Sequence, residues 1–228
     1  MTTCLNWAIY HTILMSITKS GQKYLSHLNQ IHTRVANRIL NLSTTNKGIY
    51  LKLGQYLGNL DKVVPWEFTK VLGVLQDSAP PIDYEDIKTV IEEDLGLKPK
   101  EIFELFNKNS IAAASLAQVH KAKLVTGQTV AVKIQYPFLR SQSSWDLWVL
   151  SHIINLCNYL MIKNDYKEVD LLKIFNTWTS TLVEELDFER EVANAEATRL
   201  LFKGHPHLAI PKFYEDYCSQ RLIVMDFM

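Results

Sequence analysis

Three separated groups of side chains in this chain are of the types that position phosphate. Val130-Ala131-Val132-Lys133 alternates like a β-strand and places one ammonium among apolar neighbours. Upstream, Ala112-Ala113-Ala114-Ser115 is a run of small residues between alternating segments, and downstream a helix-like stretch carries Glu184, Glu185, Asp187, Glu189 and Glu191. Together these could bind a nucleotide: a small-residue turn covers the phosphates, the strand lysine pairs with them, and a helix acid holds the lysine. Taken singly each is ordinary. Any amphipathic strand can read Val-Ala-Val-Lys, and a cluster of acids is the usual dress of a solvated helix face.

Two physical points sharpen the pattern. Phosphate-covering turns favour glycine because backbone amides can then approach closely and positive φ costs nothing. Alanine keeps the bulk small but restricts the backbone, so a loop of Ala112 to Ser115 is expected to take different shapes and a different nucleotide preference. On the helix, Asp187 and Glu191 are four apart and share a face. Glu185 and Asp187 are two apart and would diverge by about 200° on a regular helix. Either the helix is distorted there or only one of the two enters the site.

The elements that must carry these residues can be read from periodicity. Leu28, Ile31, Val35, Ile39 and Leu42 predict an amphipathic helix over Leu25 to Leu42, broken at Thr44-Thr45-Asn46. A second helix is expected from Lys47 to near Asp61 and a third after Val64-Pro65-Trp66, before the loop Ser78-Ala79-Pro80-Pro81. Asp83 can cap a helix bearing Ile87, Val90, Ile91 and Leu95 that stops at Gly96, and a short helix is expected from Lys100 to Phe106. From about Ser110 the pattern becomes strand, turn and strand, with the turn at Thr126-Gly127-Gln128. Helices follow at Trp145 to Ile162 and from Asp170 to about Phe202, then strands at Ala209 to Tyr214 and Leu222 to Met225. The layout is α+β, with a helical front half and a small sheet interleaved with helices.

Bulk properties bound the function. The 47% hydrophobic content suits a buried core, and 24 basic against 24 acidic residues give no argument for a nucleic-acid partner. No acid precedes Asp61, whereas Lys19, Lys23, Arg34, Arg38, Lys47 and Lys52 do. Such a basic, acid-free stretch suits a mitochondrial import segment or a membrane-facing surface. Leu5 to Ile17 is apolar but interrupted, and shorter than the roughly 20 residues a spanning helix needs. Cys4, Cys157 and Cys218 lack disulfide or zinc spacing. His120 is assigned to structure, as no nucleophile accompanies it, and Trp145, Trp148 and Trp178 to packing.

Read in order, Lys52-Leu53-Gly54-Gln55 (K-x-G-Q), the alanine run extending through Leu116-Ala117-Gln118-Val119-His120, and Glu185-Leu186-Asp187 (E-x-D) resemble the motifs of the UbiB family of atypical kinases, also called aarF-domain kinases. The resemblance runs from about Leu25 to the C-terminus and is nearest to the mitochondrial, lipid- and coenzyme Q-related branch. It implies a kinase-like N-terminal lobe over 109–228, a helical K-x-G-Q extension over 25–108, and a basic leader or membrane-proximal segment over 1–24. It implies ATP or ADP as ligand, bound by Ala112, Ala113, Ala114, Ser115 and Lys133, with Glu191 as the lysine's partner. Lys52, Gln55, Glu185 and Asp187 would belong to an occluding constellation across that site.

Asp226-Phe227-Met228 is expected to link two lobes rather than to serve as the metal-binding D-F-G of kinases, since no catalytic loop intervenes after Lys133. The resemblance thus assigns no catalytic residue and no metal ligand within these 228 residues. Magnesium is expected only with a C-terminal lobe. The chain is expected to be the front part of an unusual kinase or ATPase at mitochondrial membranes, inactive by itself. The alternative is a non-catalytic scaffold binding a membrane lipid or a protein partner through its basic front segment.

Overall fold

The structure is a computed structural model that describes residues 22–77, 81–163 and 170–228. All but the last three residues of the leader expected over 1–24, and most of the loop at Ser78-Ala79-Pro80-Pro81, lie outside the described residues. Two compact units emerge, Met1–Ser78 with Gln142–Ser180 and Ala79–Ser141 with Thr181–Met228.

In the first unit, helix α1 (Gln22–Asn46) is followed by α2 (Gly48–Gly58), α3 (Trp66–Leu72) and a 3-10 turn (Gly73–Asp77). Helix α1 buries His32, Ala36 and Ser43, at helical spacing. The reversal into α2 passes through Lys47 and Gly48, with φ of 57° and 49°; glycine takes this left-handed backbone freely and lysine rarely does. Helix α2 lies so close to its neighbours that a Cβ on Gly54 would meet Leu75 Cδ1 at 2.5 Å and Ser43 Oγ at 2.6 Å.

The second unit holds the sheet. Helix α4 (Tyr84–Leu95) ends on Gly96, whose φ of 65° forms the left-handed cap that the sequence signals. Asp83 precedes α4, but its side chain makes no capping hydrogen bond. The helix expected over Lys100 to Phe106 is cut short. Only α5 (Pro99–Ile102) is helical, and β1 (Phe103–Phe106) follows, because Phe103 and Phe106 are drawn into pairing with β3.

Strands β2 (Ala112–Ala113), β3 (Ala117–Leu124), β4 (Thr129–Gln135) and β5 (Leu222–Asp226) complete an antiparallel sheet of order β1-β3-β4-β5, with β2 also on β3. The strand expected at Ala209 to Tyr214 is reduced to one bridge, Phe213 to Met225, before a 3-10 turn at Glu215–Tyr217.

Helix α6 (Phe138–Lys163) is longer than its apolar pattern predicts. The helix expected from Asp170 to Phe202 is two, α7 (Leu171–Glu185) and α8 (Phe188–Leu201). Asp170 does cap α7, its Oδ1 accepting the Lys173 N–H at 3.0 Å. Two tryptophans depart from the packing expected of them: Trp178 is buried, but Trp145 and Trp148 are 70% and 55% exposed. No described helix is long and apolar enough to cross a membrane.

Strand alternation sorts the sheet into two faces. On one, Ala117 and Ile223 form a core with Phe188 and Val192 of α8 and with Phe213. Residues of opposite parity, Val130, Val132, Ile134, Leu222 and Val224, are fully buried, as are Ile87, Val90 and Ile91 of α4, which contacts β4 and β5. Arg221, itself buried, joins α4 to the start of β5 by pairing with Asp94 and with Glu93 at 2.8 Å. Burial pushes the Asp94 carboxyl up, but hydrogen bonds from Arg221 and Ser219 outweigh it and hold that group below its usual range.

Candidate nucleotide site

Lys133 sits in the middle of β4, opposite Val119 on one side and Ile223 on the other. Its Nζ is 2.7 Å from both Oε1 and Oε2 of Glu191 on α8, and 4.5 Å from the centre of the Phe188 ring. The two charged side chains are 27% and 45% exposed, so they meet at the edge of the sheet–helix core. An ion pair this wet adds about 0.2–1 kcal/mol to stability. Its value is positional, since it holds an ammonium at one place with one side open to a ligand.

Glu191 reaches the lysine because the helix breaks just before it. Helix α7 ends at Glu185, the chain turns through Leu186 and Asp187, and Asp187 caps α8 by accepting the Arg190 N–H on Oδ1 at 3.1 Å. The E-x-D segment is therefore a helix break, the first of the two alternatives that the spacing of Glu185 and Asp187 left open. Arg190 pairs with Glu184 across it at 3.1 Å. The break is held to the sheet by Gln135, whose Nε2 donates to Leu186 O at 2.7 Å and Gln220 O at 3.1 Å.

The alanine run is a tight hairpin rather than a loose turn. Ala112 and Ala113 pair with Val119 and Gln118, and the Ala114 N–H donates to Ala117 O at 2.8 Å. Its tip, Ser115 and Leu116, is buried. Tyr136, next after β4, latches it: the phenol donates to Ala114 O at 2.8 Å and the Tyr136 N–H to Leu116 O at 3.1 Å. Burial pushes the Tyr136 phenol up to about 12, so it stays a donor at any ordinary pH. The Ile111 and Ala114 amides are committed to the hairpin.

Beneath the hairpin, Gln118 pairs with the backbone of Ile82, accepting its N–H at 2.9 Å and donating to its carbonyl at 3.2 Å. Its Nε2 also lies 2.9 Å from His120 Nε2, while His120 Nδ1 is 2.8 Å from Asn107 O. One tautomer satisfies both contacts, with Nδ1–H donating to the carbonyl and Nε2 accepting from the amide. Burial lowers the His120 pKa, with the Asn107 carbonyl opposing. This imidazole is fully buried and structural.

Of the residues singled out in the sequence, Lys133 and Glu191 come into direct contact, and Ala112, Ala113, Ala114, Ser115, Glu185 and Asp187 belong to the same unit. Lys52 and Gln55 belong to the other unit. There the Gln55 side-chain amide donates to Leu75 O at 2.9 Å and the Gln55 backbone carbonyl accepts from Gln76 Nε2 at 3.1 Å, so Gln55 fastens α2 to the 3-10 turn. Asp226 is committed locally, accepting the Tyr214 hydroxyl at 2.8 Å. Among the described residues no group of three His, Cys, Asp or Glu side chains is placed to hold a metal ion. Gln135, Tyr136 and Phe188 escaped the sequence reading. The available signal was Gln135 sharing strand parity with Lys133 in an otherwise apolar β4.

A strand lysine clasped by a helix glutamate, in a sheet that also carries a small-residue hairpin, is a kinase-like arrangement, and comparison with known proteins agrees. The ABC1 atypical kinase-like domain matches residues 74–228.

The chain belongs to the ABC1 (AarF, UbiB) family of atypical kinases.

Among ABC1 relatives it is 36% identical to AarF domain-containing protein kinase 1 of Xenopus laevis over 100% of this chain and 42% of that protein. It is 35% identical to AarF domain-containing kinase 1 of Drosophila melanogaster, over 92% of this chain and 40% of that one. The ABC1 family protein MCP2 of Saccharomyces cerevisiae is 35% identical over 88% and 35%. The solved complex of Rv3197 with erythromycin from Mycobacterium tuberculosis aligns with a TM-score of 0.55 at 27% identity, covering 92% of this chain and 51% of that one. The chain thus spans about two-fifths (42%) of the first of these relatives. Its sheet, with the helices of the same unit, has the fold of a kinase-like N-terminal lobe, and an all-helical extension precedes it.

Proposed function

We propose that this chain is the nucleotide-binding front part of an ABC1-type atypical kinase or ATPase, taking ATP or ADP against Lys133 beneath the Ala112–Ser115 hairpin. The observation that carries this reading is the symmetric 2.7 Å contact of the Lys133 ammonium with both Glu191 oxygens. A clasp of that kind leaves the ammonium fixed and half open, as pairing with α- and β-phosphates requires. The residues described do not fit magnesium, and no step is assigned to one. The isolated 228-residue chain binds nucleotide without turning it over, and Glu185 and Asp187 shape access to the site. Titration of the chain with a fluorescent adenine nucleotide tests the reading: saturable binding supports it and a flat titration overturns it.

The cellular setting we propose is a mitochondrial membrane, in lipid or coenzyme Q homeostasis. Support comes from the acid-free basic residues before Asp61 and from exposed Trp145, Trp148 and Tyr159 on α6, side chains suited to a lipid headgroup region. Co-sedimentation with anionic against neutral liposomes tests it. Binding to the anionic vesicles that is lost when the six basic residues are neutralised supports the setting, and equal sedimentation with both excludes it.

A further inference from the structure

We infer that Gln135 is a positioning residue of the nucleotide site, one that acts through the Lys133–Glu191 pair by pinning the start of α8 to the strand that carries the lysine. The inference rests on the reading of that pair as the phosphate-binding group.

Gln135 is 4% exposed, and both its backbone N–H and its carboxamide nitrogen are engaged. Its backbone N–H donates to Arg221 O at 2.9 Å. The carboxamide nitrogen donates twice, to Leu186 O at 2.7 Å and Gln220 O at 3.1 Å. Leu186 follows directly on the last turn of α7, where carbonyls lack a helical partner. Gln220 O also accepts the Phe188 N–H at 3.2 Å, so the same junction fixes the first residue of α8. One amide therefore joins the end of β4, the turn into β5 and the break between the helices.

The geometry explains why the residue stands where it does. Gln135 is two positions beyond Lys133 and points to the same face, about 6.6 Å along the strand. Strand and helix segment are thus joined at two points, Gln135 to Leu186 before the helix starts and Lys133 to Glu191 in its first turn. Without the first of these, α8 could slide or tilt and carry Glu191 off the lysine. Only glutamine suits the position. Glutamate presents no donor to two carbonyls, asparagine is one methylene short, and methionine fills the volume without a hydrogen bond.

The test uses the full 228-residue chain and two readouts. The first is amide hydrogen exchange in Gln135→Met. Exchange of the Arg190 and Glu191 amides should quicken by about 5- to 10-fold, the loss of one or two hydrogen bonds, while amides at the centre of α4 stay as they are. Unchanged exchange at Arg190 and Glu191 overturns the inference whatever the nucleotide does. The second readout is affinity for a fluorescent adenine nucleotide with and without Glu191→Gln. Gln135→Met should weaken binding by about 3- to 10-fold beside Glu191 and by less than about twofold beside Gln at 191. An equal loss in both backgrounds marks a general structural role and overturns the inference. Quickened exchange in a chain that binds no nucleotide keeps Gln135 as the anchor of α8 and refutes the nucleotide reading alone.

Discussion

Lys133 and Glu191 are 58 positions apart in sequence, yet the lysine ammonium lies 2.7 Å from both carboxylate oxygens. The contact depends on a helix that starts afresh at Phe188, on Phe188 and Val192 packed against the sheet, and on a carboxamide that fixes the break. A weak, half-exposed ion pair is thus held in one defined place by the buried structure around it.

The hairpin latch gives a selective prediction. Tyr136→Phe removes the hydroxyl that donates to Ala114 O but keeps the ring stacked on Phe138 at 5.6 Å. Stability should fall by about 1 kcal/mol, and hydrogen exchange at Ala114 should quicken while the β4–β5 amides keep their protection. Protection at Ala114 equal to that of the parent would show that the phenol does not hold the hairpin.

In the K-x-G-Q helix the glycine has a steric role. Leu75 is fully buried and Ser43 almost so, leaving neither side chain room to retreat from a Cβ on Gly54. Overpacking costs about 1–3 kcal/mol, and the better helix propensity of alanine returns about 1 kcal/mol. Gly54→Ala should lower the thermal midpoint by a few degrees, and Gly54→Val should lower it further. A midpoint for Gly54→Ala at or above the parent's would refute the close approach of α2 to its neighbours.

How much of this was legible follows from the range over which each signal acts. Periodicity and turn chemistry are local, and they located α1, α2, α4, the β3–β4 hairpin and β5. The failures are places where tertiary contacts override local preference. Phe103 to Phe106 looks helical until β3 recruits it. Asp170 to Phe202 looks like one helix, and the spacing of Glu185 and Asp187 called for a distortion only if both acids were to enter the site. Lys133 was visible as a polar interruption of an apolar strand. Gln135 carried the same mark, but its meaning depends on Leu186 and Gln220, which are adjacent only in three dimensions.

Acid should destabilise the chain through its buried imidazoles. Burial lowers the pKa of His120, and of His32 against the opposing charge of Glu67 at 3.3 Å. Between each lowered value and the ordinary 6.5, the unfolded chain binds more protons, so stability is full above 6.5 and drains away below it. The thermal midpoint should fall between about pH 7 and about pH 5, with a shallower slope in His120→Gln. An unchanged slope would remove His120 from the account.

Catalysis offers a further check on the division of labour. With magnesium and ATP the purified chain is expected to release no phosphate above the uncatalysed background, since the family resemblance assigns it no catalytic residue and no metal ligand. Magnesium-dependent hydrolysis that disappears on Lys133→Ala would overturn that expectation.

The central claim is tested most directly by the dissociation constant of a fluorescent adenine nucleotide for the parent chain, Lys133→Ala and Glu191→Gln, with folding verified by circular dichroism. The account predicts saturable binding to the parent, a loss of about tenfold or more in Lys133→Ala, where a charge-assisted contact disappears, and an intermediate loss in Glu191→Gln, where the ammonium remains but is no longer held. Equal affinity of all three folded proteins, or no binding by the parent, would contradict it.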